Sequence, residues 1–121
     1  MSTQQEQTTL VLSAGTLTGD KVKNSAGDDL GKVEEIMIDL RDGRVSYVVL
    51  SFGGFMGMGD KYFAIPWGML EVDLEEECFR LDIDKTILED APGFDKNNWP
   101  EVTPDWLYNL YDYYDMPPYW G

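Results

Sequence analysis

The side chains in this sequence that could do chemistry are carboxylates, a single thiol and a run of glycines. Asp73, Glu75, Glu76 and Glu77 crowd one short stretch, and Asp82 and Asp84 follow closely. A calcium loop needs oxygen ligands at fixed intervals around a sharp glycine turn, and in the matching frame that glycine position holds Ile87. Paired carboxylates could divide acid and base work, but among 23 acidic residues no pair stands out. A solvated acidic turn is the simpler reading. Cys78 has no second cysteine to bridge to, and the chain has no histidine to activate its thiol. It sits in the alternation Cys78-Phe79-Arg80-Leu81, which suits a small buried side chain. Metal sites built on histidine or several cysteines are excluded, and there is no Gly-x-Ser-x-Gly elbow.

The stretch Gly53-Gly54-Phe55-Met56-Gly57-Met58-Gly59 spaces Gly54 and Gly59 as a phosphate loop would. Asp60, however, occupies the place of the phosphate-binding lysine and would repel a phosphate. The expectation is a loop that carries Phe55, Met56 and Met58, either tucked over the end of a barrel or offered to a partner. No catalytic, cofactor-binding or metal-binding residue is assigned. The chain is read as a non-enzyme that needs no cofactor.

These residues hang on short strands. Lys21-Val22-Lys23 is followed by a loop through Asn24 to Asp28, and then by a strand from about Gly31 to Leu40. In that strand Ile36, Ile38 and Leu40 share one face by alternation, with Glu35, Met37 and Asp39 on the other. Asp42-Gly43 predicts a tight hairpin in which both central residues take φ > 0. The returning strand, Val45 to Phe52, is apolar on both faces, as the central strand of a sheet that curls on itself or is covered on both sides would be. Tyr62 to Ile65 resumes the pattern, and Met69–Val72 with Cys78–Ile83 predicts a second hairpin around the acidic turn. Five or six short strands with no long helical period predict an all-β barrel or sandwich.

The end of the chain reads differently. Asp84 is placed to cap a short helix through Thr86 to Ala91. Thr103-Pro104-Asp105 is a helix start, with a capping hydroxyl, proline at the first helical position and an acid in the first turn. Trp106, Leu107, Leu110, Tyr111 and Tyr114 would line one side of that helix. Nine of the sixteen aromatic residues lie in 94–121. Left in water they would form a large apolar patch, so they either cover the chain's own barrel or dock on another chain. Trp99, Trp106, Tyr111, Tyr114 and Trp120 join Phe55, Met56 and Met58 as candidate partner-binding residues.

Charge narrows the partners. Twenty-three acidic residues against nine basic ones give a net charge of −14, which repels nucleic acid and anionic lipid. The simpler reading of the charge is that it only keeps the protein soluble; the alternative is that it recruits a protein partner with a basic surface. Residues 1–14 are read as a flexible polar leader without the basic start and apolar core of a secretory signal. No apolar run reaches the length that spans a bilayer. A cytoplasmic location is expected, with no membrane insertion and no direct nucleic-acid contact.

Three stretches together resemble the PRC-barrel family: Asp29-Leu-Gly-Lys-Val-Glu-Glu-Ile-Met-Ile-Asp39, Gly43-Arg-Val-Ser-Tyr-Val-Val-Leu-Ser-Phe-Gly-Gly54 and Gly59-Asp-Lys-Tyr-Phe-Ala-Ile-Pro-Trp67. Leu81-Asp-Ile-Asp-Lys85 and Ala91-Pro-Gly-Phe-Asp-Lys-Asn-Asn-Trp-Pro100 are similar to the tail of its stand-alone bacterial members. The resemblance implies a small six-stranded β-barrel used for protein contacts, as in the cytoplasmic domain of the photosynthetic reaction centre H subunit. It supplies no catalytic residues. The expected organisation is a leader over 1–14, a barrel over 15–92 and an aromatic-rich, partly helical extension over 93–121. The expected function is a non-catalytic interaction or self-association module, forming a homodimer. The alternatives are a small-molecule binder at the Gly53–Gly59 loop and a ribosome or RNA-processing accessory factor.

Overall fold

The computed structural model describes residues 10–52 and 61–120. Among these the strands are β1 (Lys21–Lys23), β2 (Asp29–Asp39), β3 (Arg44–Phe52), β4 (Lys61–Pro66), β5 (Leu70–Asp73) and β6 (Cys78–Leu81). They form one six-stranded sheet in the order β4-β3-β2-β1-β6-β5, as the all-β reading expects. Neighbours are antiparallel except β1 and β6, which run parallel with Val22 opposite Phe79. A short helix α1 (Ala14–Leu17), capped by the Ser13 hydroxyl, precedes the sheet and was not announced by any periodicity. Helices α2 (Lys85–Asp90) and α3 (Pro104–Tyr113) follow it.

The sheet curls around an apolar interior. Val22, Leu30, Phe63, Ile65, Phe79, Leu81 and Leu88 are fully buried there. Alternation on β3 does the sorting: Val48, Leu50 and Phe52 enter this inner cluster, whereas Tyr47 and Val49 point to the outer face. That outer face is buried as well, by Leu107 and Tyr111 of α3. Both expectations for this strand are met, since the sheet curls around one face and the chain's own C-terminal helix covers the other. Cys78 is buried, as its place in the alternation implied.

Gly31 is where the strands come closest. Its φ is +106°, held by the Asp29 carboxylate accepting from its N–H at 3.0 Å. A Cβ at this position would lie 2.1 Å from the Ser51 carbonyl oxygen. Only glycine leaves room for the backbone of β3 here. Irregular pairing bends β2 further, with register shifts between Val33 and Glu35 and between Met37 and Ile38.

The two hairpins share one design; the first is wider than its Asp-Gly pair suggested, and the second turns at the acidic stretch as expected. Asp39 pairs with Arg44, so the first loop is Leu40-Arg41-Asp42-Gly43, with φ > 0 at Gly43 and not at Asp42. Asp73 pairs with Cys78, so the second loop is Leu74-Glu75-Glu76-Glu77, with the left-handed residue again last, at Glu77 (φ 54°). Each leading aspartate accepts a loop N–H and an arginine: Arg41 N–H at 3.0 Å for Asp39, Glu76 N–H at 3.0 Å for Asp73. In the first hairpin the expected two-residue turn is thus replaced by an aspartate-anchored four-residue loop. Glutamate in the left-handed region carries a cost that glycine does not. Its charge also helps raise the pKa of Asp20, after burial, which is the larger cause. Glu77→Gly is expected to stabilise the chain by about 0.5–1 kcal/mol. An unchanged or lower urea midpoint would show that the turn holds Glu77 without strain.

The edge strand β4 does not present a bare ladder. Phe94 makes a single antiparallel bridge to Tyr62, with both N–H···O distances 2.9 Å. This covers a strand edge open to unwanted pairing. The chain then reaches Thr103, whose hydroxyl accepts from Trp106 N–H at 3.1 Å, as the capping reading required. Asp84 precedes α2 as expected, but its side chain makes no capping hydrogen bond.

Candidate functional site

The register shift between Met37 and Ile38 leaves Ser46 of β3 opposite no residue of β2. A bulged residue has groups to offer, and the tail takes them. Tyr111 OH donates to the Ser46 carbonyl at 2.5 Å, in a buried setting. Tyr119 OH lies 2.9 Å from Ser46 Oγ and 2.5 Å from Asp39 Oδ2. Around these bonds the rings pack edge to face: Tyr111 on Trp120 at 5.1 Å and Tyr119 on Trp120 at 4.9 Å. Trp106 lies against Tyr47 at 5.3 Å, and the Arg44 guanidinium sits 4.8 Å over the Tyr119 ring. Burial first, and then the neighbouring Tyr119, pushes the Tyr111 hydroxyl up to about 12.

Asp39 is the polar hub of this clamp. Its side chain is 8% exposed and pairs with Arg41 at 2.7 Å. The Arg41 guanidinium first, then the Tyr119 hydroxyl, hold its carboxyl well below the usual carboxylate range. A depressed folded value contributes stability that is complete above the unfolded value, about 3.9, and is lost as pH falls through the folded one. The melting-temperature gap between wild type and Asp39→Asn is therefore expected to be constant above about pH 5 and to narrow steadily below about pH 4. A gap that stays constant to about pH 2.5 would show that the carboxylate charge is not what the clamp uses.

Beside the clamp lies an open cleft of about 510 Å³ between the β2–β3 hairpin and the start of α3. Met37, Ile38, Leu40, Val102 and Leu107 supply its apolar lining. Leu40 is 91% exposed and Ile38 and Val102 are each 49% exposed. This corrects the alternation reading of β2. Ile36 packs on the inner cluster, but the register shift after Met37 takes Ile38 and Leu40 out of the core. A second cleft, about 410 Å³, is lined by Leu10, Leu12, Trp67, Val72 and Leu74. Among the described residues no group of three or more histidine, cysteine, aspartate or glutamate side chains is arranged to hold a metal ion.

The candidate residues read from sequence fall in different places. Trp106, Tyr111 and Trp120 pack on the outer sheet face, and Tyr114 packs against the inner cluster. Trp99 is half-exposed, packs edge-to-face on Tyr62 and tilted against Phe94, and donates from Nε1 to the Lys96 carbonyl. Phe55, Met56 and Met58 lie outside the described residues. The structure adds Tyr119, Ser46, Leu40 and Val102, none of which the sequence singled out.

A family model for the PRC-barrel domain matches residues 11–88. The chain belongs to the PRC-barrel domain family. The matched stretch covers the six strands and most of α2, so the clamp formed by α3 and the tail lies beyond the PRC-barrel itself. No curated protein matches the chain. Among solved structures, a Pseudomonas aeruginosa protein described as the 16S ribosomal RNA processing protein RimM is similar, with 19% identity and a TM-score of 0.43. The alignment covers 66% of this chain and 48% of that one, so this chain matches about half of its solved relative.

Proposed function

We propose that this PRC-barrel chain is a non-catalytic protein-interaction module whose contact surface is the apolar rim Ile38, Leu40 and Val102. The observation that carries the reading is Leu40, a leucine left 91% exposed at a hairpin tip beside an open apolar cleft. The interior supports it, because Phe63, Phe79, Leu30 and Ile65 fill the curled sheet with side chains. Recognition then falls to the surface. No helix among the described residues is long and apolar enough to cross a membrane, and a cytoplasmic site of action is part of the proposal.

Self-association is a second form of the same reading. Leu10 and Val11 are almost wholly exposed beside the cleft at Trp67, Val72 and Leu74, which would suit a homodimer. With a charge of −14 on each copy, such a dimer should tighten as salt rises. Light scattering at low and high salt reads this directly. The ribosomal accessory reading gains nothing from so distant a likeness. The small-molecule reading concerns residues 53–59, outside the described residues.

The module reading is tested by affinity capture from the native host with the full chain and with a Leu40→Ser, Val102→Ser double variant. A band taken by the wild type and lost with the variant supports it. Equal capture by both, or none by either, counts against this surface.

A further inference from the structure

We propose that the cleft between the β2–β3 hairpin and α3 docks a basic, amphipathic segment of another protein. Its apolar side chains enter the cleft, and its lysines or arginines run along the exposed side of α3. This rests on the interaction-module reading and names the partner's chemistry.

The cleft supplies the apolar half of the site through Met37, Ile38, Leu40 and Val102. The charged half adjoins it. From Asn97 to Gly121 the chain has no lysine or arginine, while Glu101, Asp105, Asp112 and Asp115 are all exposed. Among the described residues none of these four acids makes an ion pair; the ion pairs present join Asp39 to Arg41 and Asp73 to Arg80. Glu101 and Asp105 flank the lining residues Val102, Thr103 and Pro104 in sequence, which puts the acids at the cleft's border.

Asp105, Tyr108 and Asp112 recur at helical spacing on a side of α3 that is exposed, unlike the buried Leu107 and Tyr111. Tyr108 and Tyr113 stand exposed among these acids, and a cation gains from an aromatic face as well as from a carboxylate. Of the cations on the hairpin side, Arg41, which lines the cleft, is paired with Asp39, and Arg44 lies over the Tyr119 ring.

A second copy of this chain is the poorer occupant. Each copy carries −14, and a two-fold contact through this cleft would bring two acidic helices together. A cationic segment is drawn in by the same field.

The probe is a labelled helical peptide of about 18 residues, with leucines along one face and lysines elsewhere. A control peptide carries glutamates in place of the lysines. Anisotropy with the full-length chain is expected to show binding of the lysine peptide and none of the glutamate peptide. The affinity should fall at least about tenfold for the Leu40→Ser, Val102→Ser variant, and again for a Glu101→Gln, Asp105→Asn variant. It should also fall about tenfold between roughly 0.05 and 0.5 M salt. All four substituted residues are exposed, and circular dichroism checks that the variants are folded.

Equal binding by wild type and both variants would reduce the effect to attraction by net charge and overturn the proposal. So would a Leu40-dependent dimer that excludes the peptide, since a second copy would then be the occupant. If host capture depends on Leu40 while the peptide ignores the cleft, the module reading stands and the basic-segment inference falls. If neither depends on Leu40, both fall.

Discussion

Gly31→Ala is expected to cost about 4 kcal/mol or more, enough to leave much of the chain unfolded at 37 °C. Two terms add at this position. The φ of +106° is one that an L side chain rarely adopts, and the new Cβ would sit 2.1 Å from the Ser51 carbonyl oxygen. That oxygen is backbone, flanked by the pairs Lys32–Ser51 and Ser51–Tyr62, so it has neighbours on both sides and little freedom to retreat. Gly27 is the internal control. Its φ is +87° but nothing lies within 4 Å of an added Cβ. Gly27→Ala is therefore expected to cost only about 1–2 kcal/mol. Urea melts of both variants decide the matter, and equal costs would mean that the β2–β3 approach is looser than described.

Tyr111→Ala is expected to cost about 3–5 kcal/mol, because it removes a buried ring and leaves a cavity between α3 and the outer sheet face. Tyr111→Phe isolates the hydrogen bond. It keeps the ring against Tyr119 and Trp120 but leaves the buried Ser46 carbonyl without its tyrosine donor. About 1–3 kcal/mol is expected for that change alone. Thermal melts of the two variants give both quantities. The further expectation is that Tyr111→Ala exposes Tyr47, Val49 and Tyr62 enough to bind a hydrophobic dye. A Tyr111→Ala cost below about 1 kcal/mol would mean that the tail is an ornament rather than part of the core.

The barrel was legible in the sequence because its strands alternate and its turns carry glycine and aspartate. Val45 to Phe52 announced its burial on both faces through its own composition. The helix cap at Thr103 was legible because capping is local and depends on neighbours in sequence. What escaped was non-local or irregular. Ile38 and Leu40 were expected to share a face with Ile36, and a register shift that alternation cannot reveal turned them outward. Tyr119 meets Asp39 across 80 positions of chain, with no motif to connect them. The tail's aromatic content was plain from the start, but composition alone does not decide which surface aromatic rings will cover. Here the unpaired Ser46 of the bulge supplies the polar anchor that fixes the answer.

The parallel pairing of β1 with β6 has a consequence for how the chain reaches its native state. Val22 meets Phe79 across nearly half the chain's length, so the sheet joins its earliest strand to its last. A nascent chain that stops at β4 has β1 bound along one edge alone, a three-residue ribbon with nothing to hold its other side. Contacts this far apart in sequence slow folding, since a long loop must close before they bring any gain. The order of events should therefore be local hairpins first and the β1–β6 pairing last. In synthesis on the ribosome, protease resistance should arrive in one late step once residues 78–81 have left the exit tunnel, rather than strand by strand.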